Sequence, residues 1–213
     1  MPLNDWIDMA RIGLVACDIL KNEFEFLLKD DPDFVEKKYL EFALHVDPEH
    51  MRDVIIDEVN DMLTRVDAVL LGYAVCSSLD AIEKRFDKPV VKLPGADCID
   101  ALLTTEEYNR EKKICCGTWF DSPGWAIEGT EGMIKEMHLD MIEGVEPQFF
   151  LDMLFESYER VLFIDPGIGN EEEYMQKSIQ LSKELKLRHD CRKCDLRQIE
   201  DCIRKVKEVA KGA

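Results

Sequence analysis

The sequence predicts an α/β fold: a three-layer Rossmann-like sandwich with a mostly parallel sheet of about six or seven strands. Short apolar runs alternate with longer amphipathic segments along the chain, which is the pattern of βαβ units. Residues 68–71 are all apolar, as expected for a strand buried on both faces of a parallel sheet. Right-handed crossovers between such strands place helices on both faces of the sheet.

The first half of the chain contains four predicted strands, at residues 11–16, 39–44, 68–71 and 89–93. The first helix is predicted over residues 18–29, where apolar side chains form one stripe. The second helix follows Asp47, which can cap it, has Pro48 in its first turn, and runs to about Leu63. A further helix is expected to begin within residues 97–108.

The second half contains three further predicted strands, at residues 113–120, 160–164 and 187–189. The sequence SPGW after the first of them indicates a turn. Residues 129–159 are predicted to form one or two helices with a break near residues 144–147. Asn170 is expected to cap a helix over residues 171–185, and the last helix is predicted at 195–209.

Composition restricts the classes of function. The 213 residues carry a net charge of −18, which argues against binding to nucleic acid or to an anionic membrane surface. No apolar run approaches the roughly 20 residues that span a bilayer, and MPLNDWIDMA does not resemble a signal peptide. We therefore expect a cytoplasmic protein, whose eight cysteines are thiols or metal ligands rather than disulfides.

The chain is expected to fold as a single domain over residues 1–213, because no linker rich in Pro, Gly or Ser interrupts it. Within that domain, residues 187–213 form a cysteine-containing strand and helix extension.

Three cysteines and a histidine occur just past the ends of predicted strands: Cys17, His45, Cys76 and Cys98. All strands of a parallel sheet end on one edge, which is where open α/β folds bind ligands, so these four residues are expected to meet. Thiolates and imidazole are typical ligands of transition metals. The sequence therefore predicts a Zn or Fe site made by these residues.

Other residues near these strand ends are candidates for the surroundings of the site. Tyr73 offers a hydroxyl group, and Asp97 can cap a helix and orient a neighbouring histidine. The aromatic side chains of Trp119 and Trp125 are candidates for the wall of a pocket, with core packing as the alternative.

The tail contains Cys191 and Cys194 in a C-x-x-C spacing, which is typical of metal ligands or of a redox dithiol. They are candidates for an additional metal or redox site, and an iron–sulfur cluster that uses them is an alternative to zinc. The sequence does not indicate whether they or Cys202 join the main site.

Two alternatives to a metal site remain open. Cys17 or Cys98 can serve as a nucleophile or redox thiol with His45 as its base. The chain can also be a carrier or accessory protein without catalytic activity. The sequence does not decide whether the protein is an enzyme, and a homo-oligomer is also left open.

Five segments resemble, in order, motifs of a prokaryotic domain-of-unknown-function family, DUF1638: ACDIL, ALHVDPEHMR, LGYAVC, ADCIDALLTTEEY and GTWFDSPGW. The resemblance covers about residues 10–130, and RVLFID more loosely. It places Cys17, His45, Cys76 and Cys98 at the Cys and His positions of the family's motifs. The chain departs from the family after the third strand, where a glycine-richer loop is usual, and at Ala96, where the family usually has His.

The resemblance implies a metabolic setting but no substrate. Members of the family are common in methanogens and strict anaerobes, often near genes for corrinoid-dependent methyltransferases. The implied role is therefore in anaerobic one-carbon or corrinoid-linked methyl-transfer metabolism. The implied partners are a corrinoid protein or a methyltransferase, with contact to the corrinoid itself as one form of that association.

Overall fold

The computed structural model describes residues 10–142, 144 and 146–212, and within them seven strands pair in parallel in two sheets. The strands are β1 (Ile12–Cys17), β2 (Phe34–Leu40), β3 (Ala68–Gly72), β4 (Val90–Lys92), β5 (Thr118–Asp121), β6 (Arg160–Asp165) and β7 (Arg188–Lys193). The α-helices are α1 (Lys21–Leu27), α2 (Pro48–Leu63), α3 (Cys98–Leu102), α4 (Thr105–Ile114), α5 (Pro123–Glu136), α6 (Pro147–Leu154), α7 (Glu171–Glu184) and α8 (Arg197–Ala210).

The chain divides into two compact units, each with its own sheet. Unit 1 contains Met1–Ala101 and Leu196–Ala213, and unit 2 contains Leu102–Asp195. The strand order is β2-β1-β3-β4 in unit 1 and β5-β6-β7 in unit 2. The predicted α/β class and parallel pairing are therefore confirmed, but one sheet of six or seven strands is not observed. The single domain over residues 1–213 stays a prediction.

Helices pack against both faces of the sheet in unit 1. One face carries Val15, Val69 and Leu71, which lie in a core with buried residues of α2 such as Ile55 and Val59. The other face is approached so closely by α1 that a Cβ on Gly72 would lie 2.6 Å from the Phe24 ring. Helical residues therefore cover both faces of the unit 1 sheet.

The predicted helix starts at Asp47 and Asn170 are confirmed. The Asp47 side chain accepts a hydrogen bond from the backbone N–H of His50 at 3.0 Å, with Pro48 in the first turn of α2. The Asn170 side chain accepts one from the N–H of Glu173 at the start of α7. These side chains satisfy N–H groups that have no partner inside the helix.

Other predicted boundaries were wrong. The second strand is Phe34–Leu40 rather than residues 39–44, and Phe42–Val46 form a 3₁₀ helix. Residues 113 and 114 end α4 instead of beginning a strand. The predicted SPGW turn is the start of α5, because Pro123 occupies its first turn, where the missing N–H of proline costs nothing.

No helix in the described ranges has the length and apolar character needed to cross a bilayer.

Candidate functional site

The strand order of unit 1 creates a switch point between β1 and β3. The chain moves from β1 outward to β2 and then crosses back to β3 on the other side of β1. Open α/β sheets bind ligands outside the carboxyl ends of the strands at such a point. β1 ends at Cys17, and Tyr73 and Cys76 follow the end of β3. Two of the predicted site cysteines therefore lie at this switch point.

Cys17 and Cys76 are neighbours in the folded chain. Both pack against the core between the sheet and α2, and their side chains are close enough to interact electrostatically. Burial raises the pKa of the Cys17 thiol to about 12, although the backbone N–H of Ile19 and the Tyr73 hydroxyl act in the opposite direction. Both cysteines are free thiols.

The pKa of the Cys76 thiol is also raised, and burial is again the main reason. Burial raises the pKa of its thiol to about 11, Asp97 raises it further, and Lys92 lowers it. At neutral pH both thiols therefore carry their protons in this environment. The site keeps two soft donor atoms in a neutral form beside each other.

The hydroxyl group of Tyr73 completes the immediate surroundings of the thiols. Tyr73 is 4% exposed, and its hydroxyl has no hydrogen-bonded oxygen or nitrogen partner among the described residues. Burial and the adjacent thiols of Cys17 and Cys76 raise its pKa, so it stays protonated. A buried hydroxyl of this kind can donate a hydrogen bond to a sulfur atom or to a bound group.

The backbone at Cys76 has an unusual conformation for a residue with a side chain. Cys76 and Ser77 have φ values of 42° and 65°, in the left-handed region that favours glycine. The loop is held there because the N–H of Val75 donates to Gly95 at 3.1 Å and that of Cys76 to Ala96 at 2.8 Å. Such strained residues concentrate at functional sites. Cys76 and Ser77 therefore adopt the left-handed conformation in the loop where the resembled family usually has more glycine.

Replacement of Ser77 by glycine is expected to stabilise the protein by about 0.5–1 kcal/mol, because glycine adopts the left-handed conformation without steric cost. Urea denaturation monitored by circular dichroism gives the free energy of unfolding. Ser77→Ala is the matched control and should give no gain. A loss of stability in Ser77→Gly would show that this position is not left-handed in solution.

The other two predicted ligands also follow strands, but the structure does not group them with the thiol pair. His45 lies in the 3₁₀ helix after β2, with its Nδ1 atom 2.7 Å from the carbonyl oxygen of Phe42. If Nδ1 donates this bond, Nε2 is the nitrogen that can bind a metal. Cys98 begins α3, directly after Asp97. Within the described residues no three His, Cys, Asp or Glu side chains are grouped as metal ligands.

Asp97 occupies the position expected of it. Its Oδ1 atom accepts hydrogen bonds from the N–H groups of Ile99 at 3.0 Å and Asp100 at 2.9 Å, so it caps α3. Its charge also acts on the Cys76 thiol. The predicted second role, orienting a histidine, stays a prediction.

Trp119 and Trp125 lie in unit 2, where they pack with each other. Their ring centroids are 5.7 Å apart, and Trp119 is 5.3 Å from the ring of Phe155, both in edge-to-face geometry. Trp125 is buried, and Trp119 packs against a core that includes Val161. These contacts match the core-packing alternative, and a role in a pocket wall stays a prediction.

Cys191 and Cys194 also lie in unit 2. Cys191 is exposed on β7, and the N–H of Cys194 donates to the carbonyl oxygen of Asp165 at 2.9 Å. Burial and the charge of Asp165 raise the pKa of Cys191. Nothing in this geometry marks Cys191 as an activated thiolate, and an additional metal or redox site stays a prediction.

Two buried carboxyl groups were missed at the sequence level. Asp121, at the end of β5, is fully buried, interacts with Ser178, and has its pKa raised by burial to about 7. Glu23 of α1 is fully buried as well, and burial raises its pKa to about 7. A carboxylate directly at the end of an apolar strand was a usable signal for Asp121. Glu23 gives no such signal, because an acid within a short helix normally faces solvent.

Comparison with known proteins gives one match. A family model described as "Protein of unknown function (DUF1638)" matches residues 39–203. The matched region contains His45, Cys76 and Cys98, whereas Cys17 precedes it. No curated protein and no solved structure matches the chain.

Proposed function

The chain belongs to the DUF1638 family of proteins of unknown function, and from its thiol pair we propose that it binds a thiophilic metal ion, Zn²⁺ or iron, through Cys17 and Cys76. The observation that carries the proposal is the pairing of two half-buried thiols at the β1/β3 switch point of a parallel sheet. A Rossmann-like character of unit 1 is part of the proposal.

Binding of a metal ion would change the protonation of both thiols. Burial disfavours two adjacent thiolates, which explains why the pKa values of Cys17 and Cys76 are raised to about 12 and about 11. A divalent cation reverses this balance, because thiols that coordinate such an ion lose their protons. The buried Tyr73 hydroxyl can then donate a hydrogen bond to the Cys17 sulfur and hold it in place.

Two sulfur atoms supply half of the four ligands that zinc takes in a tetrahedral site. His45 and Cys98 are proposed for the remaining positions, since both follow strands of unit 1. If only one of them binds, the fourth position is open to a water or to a substrate thiol, and the metal supplies Lewis acidity there. A role in anaerobic one-carbon or corrinoid-linked methyl transfer is a proposal that rests on the family resemblance alone.

The alternative in which a cysteine acts as a nucleophile without metal is less well supported for Cys17 than for Cys98. A nucleophilic cysteine reacts as its thiolate, and the raised pKa of Cys17 keeps it protonated at neutral pH. Proximity to Cys76 still allows an oxidised pair, in which a disulfide forms and two hydrogens are lost to an external oxidant. A redox pair of Cys17 and Cys76 therefore predicts a specific mass change rather than bound metal.

The deciding experiment is metal and acid-labile sulfide analysis of the full chain purified without oxygen, together with its absorption spectrum. We expect stoichiometric zinc and a featureless visible spectrum, or iron without sulfide. Iron with sulfide would indicate an iron–sulfur cluster instead of a mononuclear site.

Metal-free protein must then be titrated with Co²⁺. No retained metal and no sulfur-to-cobalt charge-transfer band would overturn the proposal. A loss of two mass units after diamide treatment, mapped to Cys17 and Cys76, would favour the redox alternative.

A further inference from the structure

Unit 2 has an apolar groove that is separate from the thiol pair. Its lining residues come from the position directly after α5, the 3₁₀ helix Leu139–Met141 and α6, and they are Met137, Leu139, Phe150, Met153 and Leu154. Its volume is about 300 Å³. The elements on its sides are helical, so its floor and walls are formed by side chains.

The groove continues into an exposed apolar surface. Met153 is 60% exposed, Phe149 is 57% exposed and Met141 is 74% exposed. Phe149 and Met153 are four residues apart on α6 and therefore share one face of that helix. Leu151 is the only described α6 residue that is buried, so this helix presents most of its apolar side chains outward. Clustered apolar exposure of this kind marks interaction sites in soluble proteins.

The charge around the groove is mainly acidic. Residues 137–156 contain no Lys or Arg, and their acidic residues are Asp140, Glu143, Glu146, Asp152 and Glu156. Asp152 is paired with Lys186 at 2.6 Å, while Asp140, Glu146 and Glu156 are exposed. An apolar groove with acidic surroundings complements a helix that has one apolar face and one basic face.

The same charges disfavour the other occupants. A second copy of a chain with a net charge of −18 would bring more negative charge to an acidic surface. An anionic membrane surface would be repelled in the same way.

The two methionines of the groove make its surface adaptable, because unbranched thioether side chains repack around different apolar groups.

We propose that this groove is a docking site for a basic amphipathic helix of a partner protein. The apolar side chains of the partner helix enter between Met137, Phe150 and Met153, and its Lys or Arg side chains face Asp140, Glu146 and Glu156. This inference does not depend on metal binding by Cys17 and Cys76.

The test uses a fluorescently labelled synthetic Leu/Lys peptide, with Leu at helical spacing i, i+3, i+4 and i+7, and the full-length protein. Binding is measured by anisotropy at physiological salt. Met153→Glu is expected to weaken binding by at least about tenfold, which corresponds to roughly 1.4 kcal/mol, because it places a charge in the apolar groove.

The matched control is Ile114→Glu, which adds the same charge at another apolar position of unit 2 that is 62% exposed. It should leave the affinity unchanged. A Leu/Glu peptide with the same pattern should not bind. If Met153→Glu does not fold, as judged by circular dichroism, Phe149→Glu on the same face of α6 replaces it.

Three outcomes would overturn the proposal. Equal affinities for wild type and Met153→Glu would show that attraction is only electrostatic. Binding of the Leu/Glu peptide would remove the argument from charge. Dimerisation of the wild type that Met153→Glu abolishes, seen by analytical ultracentrifugation, would identify a second copy as the occupant.

Discussion

Replacement of Cys76 by serine is expected to weaken Zn²⁺ or Co²⁺ binding by more than about 100-fold, because even hydrogen-bond partners of metal ligands contribute roughly 10–100-fold. The measurement is competition with a chromophoric chelator under anaerobic conditions. Cys202→Ala is the control: Cys202 is buried on α8 with its Sγ atom 3.8 Å from the carbonyl oxygen of Lys92. Unchanged affinity in Cys76→Ser would exclude Cys76 as a ligand.

The pH dependence of metal affinity is an independent test of whether Cys76 is a ligand. Both thiols are protonated well above neutral pH, with pKa values of about 12 and about 11, so their coordination of the metal releases two protons. Below these pKa values the affinity should therefore rise by at least roughly two log units per pH unit in wild type, and by about one log unit less in Cys76→Ser. The same loss in Cys98→Ser would identify Cys98 as a further ligand.

Removal of Arg160 is expected to destabilise unit 2 by about 3–5 kcal/mol, because it takes from a buried carboxylate one of its two guanidinium partners and leaves the other buried groups that Arg160 binds without theirs. The guanidinium of Arg160 donates to Glu111 Oε2 at 2.8 Å and to Thr118 Oγ1 at 2.9 Å. The Arg160 and Glu111 side chains are only 5% and 8% exposed. Arg192 also pairs with Glu111, so this carboxylate lies between two guanidinium groups.

Urea denaturation of Arg160→Met should be followed by the fluorescence of Trp119 and Trp125, which both lie in unit 2. Arg188→Met is the control, since Arg188 is 61% exposed and its pairing with Asp190 should contribute less than about 1 kcal/mol. The double variant Arg160→Met/Glu111→Met should recover much of the loss. A loss below 1 kcal/mol in Arg160→Met alone would contradict the prediction.

The pKa of Glu111 determines how the stability of unit 2 changes with pH. Burial raises the pKa of its carboxyl, but hydrogen bonds from Arg160 and Arg192 outweigh burial, and the net pKa lies below the usual value. A carboxyl whose pKa is lowered on folding stabilises the protein above its unfolded pKa. That contribution is lost as the pH falls through the folded value. The acid side of the stability curve should therefore flatten in the double variant.

The sequence predicts an element well where one physical signal dominates. α2 and α7 were located because a capping side chain precedes an amphipathic run, and β3 because it is apolar throughout. β2 was misplaced because it is an edge strand, where charged residues such as Lys37 and Lys38 can face solvent. The division into two sheets gives no local signal, since every strand pair in both of them is parallel.

Part of the candidate site could also be predicted from the sequence, because one signal dominates there. Position after a strand was enough to identify Cys17 and Cys76 as neighbours, because topology brings strand ends together. The left-handed backbone at Cys76 and Ser77 could not be foreseen, since no glycine marks it. Its cause is tertiary: hydrogen bonds to Gly95 and Ala96 on the following segment impose it.

The position of α8 has a consequence for how the protein is made on the ribosome. α8 packs against β1, β3 and β4, and its Lys207 pairs with Asp31 at 2.6 Å, although all of Leu102–Asp195 is synthesised in between. At a synthesis rate of about 5–20 residues per second, roughly 5–20 s pass between the synthesis of the four strands of unit 1 and that of this helix. A nascent chain that stalls before Arg197 therefore leaves the part of the sheet that α8 covers exposed to chaperones or proteases, although α1 and α2 already pack on its faces.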